Sequence, residues 1–566
     1  MIRCNLGAAL PHVTAVQKML SKMQRIKEGE FLFDELQEHL KKWNAAPFVH
    51  IHLDDTRIIN KVEYDPYTDR FIGFCLPLKN GLPLCEAFIF TTFNEIKNAV
   101  ENEVIGKYAH AMVAKPITPS TPALIIFMLC TDATYDHNTV ISRWRHVEKE
   151  LKKRGIGVIS NGADGAGPFL KAMTITTSLF CVGGGNVPLD WTFYLMPKLQ
   201  QSGMCSQDIV HLLAKLRTRL LMPSNVIIMG NEVACLGQLQ QLLKRFDKSR
   251  HNLTQQVLKN KDKQNYKSIE TLLKEDVVEA LEDLGSIMST KETVTYLWLM
   301  RNIQIAFLDK SISPIERLSL MWQTVFFMRI WRKWLCNNDH SLSDHFVTQN
   351  VYVCTELNGH MLLNTVYNVI VGVLPKEALR IWNCGSQGCE QVFRLLRSMT
   401  PTFSTVVNFS MKGVLERTHK LNFLASIEAS EEIVFPRAQR RLLQLREETE
   451  NTLKIPTFDE VTDCIKKSKE EAVKKSIDLG MDLPSYEDND LSILDNESLL
   501  NTAFETDFED DLTISGVDND ITRDTRPDEE AIIIRDDVSR IFLEKRNSSG
   551  IPTYCLLYTS DAADEG

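Results

Sequence analysis

What the 566-residue chain lacks narrows it first. No apolar run approaches the ~18–20 residues that a membrane-spanning helix needs, and a long one such as Ala123–Cys130 has only strand length. Met1–Leu10 holds a single Arg and no extended apolar core, so it does not read as a secretory signal peptide. Thirteen cysteines are present, yet none forms a Cys-x-x-Cys pair, and the nearest two are Cys384 and Cys389. A zinc finger or ribbon needs paired ligands at short spacing, so the expectation is reduced thiols in an intracellular chain. No repeat occurs at solenoid periods. Gly162, Gly165 and Gly167 fit neither of the two phosphate-binding glycine patterns.

Charge is present but unevenly placed. Asp482–Asp537 carries 19 acidic and 3 basic residues, a segment charge of −16, whereas the chain up to Met481 has 58 Lys and Arg against 51 Asp and Glu. A mildly basic body with an acidic tail suits a protein that handles polyanions. The tail is rich in Ser, Asn and Thr and poor in aromatics, so it is expected to lack structure. Cys555–Gly566 breaks from everything before it and resembles a translated sequencing-library adapter, with the natural frame expected to end near Tyr554.

Periodicity organises the body. Residues 13–43 space their apolar positions three and four apart, as in two amphipathic helices broken near Gly29. Val49-His50-Ile51-His52-Leu53-Asp54 alternates strictly, as in a strand with one buried face. The turn Asp65–Asp69 leads to a second apolar run, Phe71–Leu76. Ala123–Cys130 reads as a central strand, Ile141–Arg154 as a helix ending at Gly155, and Gly157–Ser160 as another strand before a glycine-rich turn. From Gln207 to Arg397 the pattern is mostly helical, interrupted by the polar loop Lys259–Lys267.

Four places could carry chemistry. Period two puts His50, His52 and Asp54 opposite Val49, Ile51 and Leu53, and leaves Asp55 on the aliphatic side or in the turn. Asp164 follows the strand Gly157–Ser160, where open α/β sheets bind ligands, although an Asp between glycines also suits a plain turn. Asp208, His211, Lys215 and Arg219 form one helical stripe, with Asp208 also fit to cap the helix and the stripe also fit to be a solvated face. Glu390, Arg394 and Arg397 share a stripe that could equally be an intrahelical ion pair.

Taken in order, these residues resemble RNase H-like transposases with an insertion domain, of the P-element-like and hAT-like kind. The resemblance is greatest to P-element-like proteins of invertebrates. Its residues are Asp54-Asp55-Thr56-Arg57-Ile58, Tyr64-Asp65, Phe71–Phe74, Asp164-Gly165, Lys171-Ala172-Met173, Asp208–Leu221, Cys354–Asn358 and Cys389–Asn408, collinear from about residue 5 to 481. The resemblance implies an α/β fold, an RNase H-like mixed sheet with helices on both faces, interrupted by a large all-α insertion. It divides the chain into a helical segment 1–46, a first core part 47–222, a helical insertion 223–380, a last core part 381–481 and the acidic tail 482–554.

It further implies a DDE set, Asp54, Asp164 and Glu390, holding two Mg²⁺ or Mn²⁺ ions, with Asp208 as a further acidic position at the metal. Hard ions of this class take carboxylate oxygens, and two of them ~4 Å apart suit phosphodiester transfer. DNA phosphates would meet His211, Lys215, Arg217, Arg219, Arg394 and Arg397. The implied function is a DNA-cleaving and DNA-joining transposase working in the nucleus, with oligomeric state and any nucleotide cofactor left open. A transposase-derived DNA- or protein-binding factor without catalysis is the alternative. A proofreading-type exonuclease would want Asp-x-Glu on the first strand, which Leu53-Asp54-Asp55-Thr56 does not supply.

Overall fold

The computed structural model describes residues 25–482 apart from 120, 182–186, 189, 200–201, 260–264, 400–408 and 431–447, together with positions 14 and 18 and three strands between residues 532 and 557. Five strands form the central sheet: β1 (Phe48–Arg57), β2 (Tyr108–Pro116), β3 (Leu124–Thr131), β4 (Gly157–Ala163) and β5 (Met204–Gln207). Their order is β3-β2-β1-β4-β5. β2 runs antiparallel to β1 and β3, while β4 is parallel to β1 and β5 parallel to β4. An antiparallel meander continued by parallel strands through helical crossovers is the RNase H-like arrangement.

Ten helices frame the sheet and the insertion. α1 (Phe33–Lys42), α2 (His137–Lys153) and α3 (Gly167–Thr177) surround the sheet, and α4 (Ile209–Leu221) leaves β5. The insertion centres on α5 (Lys291–Leu308), α6 (Pro314–Asn337) and α7 (Gln349–Ile370). α8 (Gln387–Ser398) and α9 (Met411–Ser430) return to the sheet, and α10 (Phe458–Asp478) packs along α6. Among the described residues no helix is long and apolar enough to cross a membrane.

Period two gives the sheet two distinct faces. Ile51, Leu53, Met112, Ala114 and Phe127 point to one, where α1, α2 and α3 cover them with Phe33, Leu36, Trp144, Val147 and Leu170. Ala109, Ala111, Val113, Ile125 and Met128 point to the other, under Cys389, Phe393 and Leu396 of α8 and Val414 and Leu415 of α9. His50 and His52 lie on this second face and are buried, so β1 has no solvent side.

The insertion is fused to the core. α7 is buried nearly along its whole length, which is why its sequence shows no polar stripe. Its Asn358 accepts from the Gln207 N–H at 2.9 Å and donates to the Gln207 carbonyl at 3.2 Å, so a side chain closes the edge of β5.

Several expectations change. Of the second apolar run only Phe71 and Ile72 are in a strand, Arg70–Ile72, which pairs with Glu63–Asp65 in a separate hairpin. The strand that enters the sheet is Tyr108–Pro116, whose alanines carry too weak an apolar alternation to stand out. The largely helical stretch also holds a hairpin, Ile227–Met229 with Glu232–Ala234. At the C-terminal end, Ile532–Asp536, Arg540–Arg546 and Pro552–Leu557 pair as an antiparallel sheet. Runs such as Ile532-Ile533-Ile534 and Ile541-Phe542-Leu543 have the β-branched and aromatic content that pairing favours. The acidic stretch before them, like the first helix expected over 13–43, lies outside the described residues save for positions 14 and 18.

Candidate active site

Three aspartates stand at the same end of the sheet because three parallel strands end there. The β1–β4 register pairs His52 with Gly162, which sets Asp54 level with Asp164, two residues further on. The β4–β5 register pairs Ala163 with Gln207, which sets Asp164 level with Asp208. Asp54 is half-buried on the face that α8 covers, and Glu390 lies in the first turn of that helix. Burial pushes the Asp54 carboxyl well above the usual carboxylate range, and the negative charges of Asp164 and Glu390 push it further. His211 opposes that rise.

The approach of α8 depends on residues that carry no charge. His52 Nε2 meets the Asn383 carbonyl at 2.8 Å, and the Gly388 N–H donates to His52 Nδ1 at 3.0 Å. The Cys389 thiol donates to the His52 carbonyl at 3.2 Å. Burial holds His52 neutral, down to about 4, and His50 likewise to about 3. His52 is therefore a docking group for the segment entering α8, while His50 Nδ1 lies 2.8 Å from Ser160 Oγ on β4. Two glycines make the approach close enough: a Cβ on Gly388 would lie 2.4 Å from His52 Nδ1, and one on Gly162 would lie 2.2 Å from the Gly385 carbonyl oxygen. The glycines around Asp164 thus include one that admits the α8 loop.

Asp208 is 1% exposed and heavily engaged. Its Oδ1 accepts from the N–H groups of Val210 at 2.8 Å and His211 at 3.2 Å, as the N-cap of α4. Its Oδ2 accepts from the Ser386 N–H at 2.9 Å and hydroxyl at 3.2 Å, and Gln387 Nε2 reaches both oxygens at 3.2 and 3.1 Å. His211 Nε2 stands 2.7 Å from Glu390 Oε1. Burial disfavours the His211 cation, but the Glu390 hydrogen bond and the charges of Glu390, Asp208 and Asp164 outweigh it and raise the imidazole to about 10. His211 is therefore a cation among carboxylates at neutral pH.

The basic residues divide. Lys215 Nζ donates to Asn350 Oδ1 at 3.0 Å and to the Gly165 carbonyl at 3.3 Å, so it pins the Asp164 loop. Arg217 is fully buried and donates to the carbonyls of Val257 and Lys259, which removes it from any DNA surface. Arg219 is spent on the carbonyls of Phe346 and Ser343, at 2.9 and 2.5 Å. Arg394 is exposed. Arg397 is half-buried, its guanidinium disfavoured by burial and favoured by Asp54 and Glu390 nearby. The helical stripe had placed Lys215 and Arg219 correctly on one face, but that face meets α7 and the chain leading into it.

Asp55 belongs to the site's other side. His110 Nδ1 lies 2.7 Å from its Oδ1, and the Tyr135 hydroxyl donates to its Oδ2 at 2.5 Å. Burial, Asp55 and Asp164 push that hydroxyl far above its ordinary range. Sequence spacing had no means to pair residues 55, 110 and 135. Among the described residues no three His, Cys, Asp or Glu side chains converge into a ready-made metal cage. The donor chemistry nevertheless fits hard divalent ions, since Asp54, Asp164 and Glu390 offer only oxygen and repel one another.

No protein-family model and no curated protein matches the chain. Among solved structures, the chain is similar to a Drosophila P element transposase strand transfer complex, at 12% identity and a TM-score of 0.49, over 74% of this chain and 86% of that chain.

Proposed function

We propose that this chain is a transposase-type nuclease and strand-transfer protein that acts on DNA phosphodiesters through Asp54, Asp164 and Glu390. The observation that carries the reading is geometric: the strand register sets Asp54 level with Asp164 at one end of the sheet, and Glu390 lies in the first turn of the helix that packs against β1. The mutual repulsion of these carboxylates persists in a fold only where something else repays it, and perturbed carboxylates in a cleft mark functional sites. Asp54, Asp164 and Glu390 would hold Mg²⁺ or Mn²⁺, which when bound activates an attacking oxygen and stabilises the leaving one. Asp208 receives no metal in this proposal, since donors already fill its oxygens.

Arg394, exposed one turn beyond Glu390, would meet a phosphate of the substrate, and Arg397, near Asp54 and Glu390, would balance their charge. DNA in the nucleus is the proposed partner, and no nucleotide cofactor is assigned. The test is nicking of supercoiled plasmid by the full chain in Mg²⁺ or Mn²⁺. Asp54→Asn, Asp164→Asn and Glu390→Gln should each lower the rate by ~10³-fold or more, as losing a group that acts only as part of a set does. Their melting temperatures should stay close to wild type. Nicking by Asp164→Asn at the wild-type rate excludes the assignment.

A further inference from the structure

The start of α8 is tied to the start of α4. Its N-cap residue, Ser386, makes no side-chain cap bond to its own helix; the Gly388 N–H goes to His52, and the Ser386 hydroxyl turns away to α4. Asp208 takes the Ser386 N–H and hydroxyl and the Gln387 side-chain amide, while capping α4 with the same carboxylate. One negative charge thus sits at the positive ends of two helices. One turn along, His211 of α4 meets Glu390 of α8. The intervals match: Asp208 and His211 are three residues apart, as are Gln387 and Glu390. The two first turns are joined rung to rung.

We infer that Asp208 and His211 are a pair of positioning residues, a two-point clamp on the first turn of α8 that presents Glu390 to Asp54 and Asp164. His52 already seats Gly388 and Cys389 on the sheet, and the ties to α4 hold the side of α8 that bears Glu390. Two ties one turn apart fix both the rotation and the height of Glu390, because a slip of one residue swings a helical side chain by about 100°. The underside of α8, Cys389, Phe393 and Leu396, packs on the sheet face of Ala109 and Ala111, and the ties to α4 add a second line of contact on the other side of the helix. This role rests on the proposed metal-dependent reading for its consequence, but not for its geometry.

The test uses the full chain and Mn²⁺ as the probe ion, with bound ion counted from the paramagnetic resonance of the free ion. Asp208→Asn and His211→Gln should each weaken Mn²⁺ binding by ~10-fold or more, the scale found for residues that orient metal ligands. The number of ions bound at saturation should not change. In a Glu390→Gln background, His211→Gln should add no further loss. A lost ion in Asp208→Asn would make Asp208 a ligand and overturn the clamp, as would a full His211→Gln effect without Glu390.

Amide hydrogen exchange over residues 386–390 gives a readout that needs no metal. Both variants should speed exchange there and leave α5 unaffected, and unchanged exchange in both overturns the clamp. Should wild type bind no Mn²⁺, the functional reading fails, and exchange alone judges the clamp. His211 is partly exposed, so His211→Gln carries the test if Asp208→Asn does not fold.

Discussion

Adjacent carboxylates on one strand can have opposite fates, because period two sends Asp54 toward α8 and Asp55 toward His110 and Tyr135. Asp55 is satisfied by two partners, whereas Asp54 faces other acids. A similar residue-level tension occurs at Glu28, buried beside edge strand β3, where it accepts from the Cys130 N–H at 2.9 Å. Burial raises its carboxyl to about 7, against the lowering effects of that hydrogen bond and of Arg70. The sign follows from linkage: a folded-state pKa above the ordinary 4.5 means the unfolded chain ionises first, so stability is lost as pH rises from about 4.5 to about 7. At 1.36 kcal/mol per unit the loss at pH 8 is ~3 kcal/mol. Glu28→Gln keeps the acceptor and removes the charge. Urea unfolding should show it more stable than wild type at pH 8 and little changed at pH 4. Equal stabilities at pH 8 would mean that Glu28 is ionised at little cost.

The spacing between α8 and the sheet is set by side chains that strand β2 does not have. Ala109 and Ala111 are fully buried on the face beneath Phe393 and Leu396, and the Cys389 thiol reaches the Ala111 carbonyl at 3.7 Å. Ala111→Leu would force extra carbons into that layer at a cost of ~1–3 kcal/mol and lift α8. Plasmid nicking should fall by more than the unfolded fraction explains. Met112→Leu, on the opposite face, conserves volume and should leave nicking unchanged. The same alanines explain what the sequence could and could not reveal. β1 was legible because His and Asp alternate with Val, Ile and Leu there. Asp164 and Asp208 were legible as residues at element boundaries. β2 was not, since alanines weaken its alternation. The polar side of β1 was misread as open because nothing local says that a loop 330 residues later, at Asn383 and Gly388, will bond to His52. Likewise Lys215 and Arg219 had the right stripe, but only the chain folded at Ser343–Asn350 shows what that stripe touches.

At the scale of the whole molecule, the insertion and the core behave as one packed unit, and a buried ion pair lies at their junction. Arg329 of α6 and Glu356 of α7 are 0% and 1% exposed and bond through two contacts of 2.7 Å. Arg329 also donates to the Phe193 carbonyl at 2.9 Å, and His360 of α7 accepts from the Leu195 N–H at 2.8 Å. These bonds tie the chain that leads to β5, and hence to Asp208, onto the insertion. Burial alone would raise the Glu356 carboxyl, but the Arg329 charge and hydrogen bonds overcome it and hold it below its ordinary value. Its contribution is therefore present above the unfolded value near 4.5 and is lost as pH falls through the lower folded value. Removing one partner leaves the other charged and buried. Glu356→Gln should therefore destabilise by ~3–5 kcal/mol at pH 7. Arg329→Met combined with Glu356→Leu removes both charges and should unfold close to wild type or later, since apolar replacements often match a buried pair. The double variant should also lose part of the acid sensitivity. Urea unfolding of the three chains at pH 7 and pH 4 checks both claims. A Glu356→Gln variant as stable as wild type would show that this pair contributes little to the packing of α6 against α7.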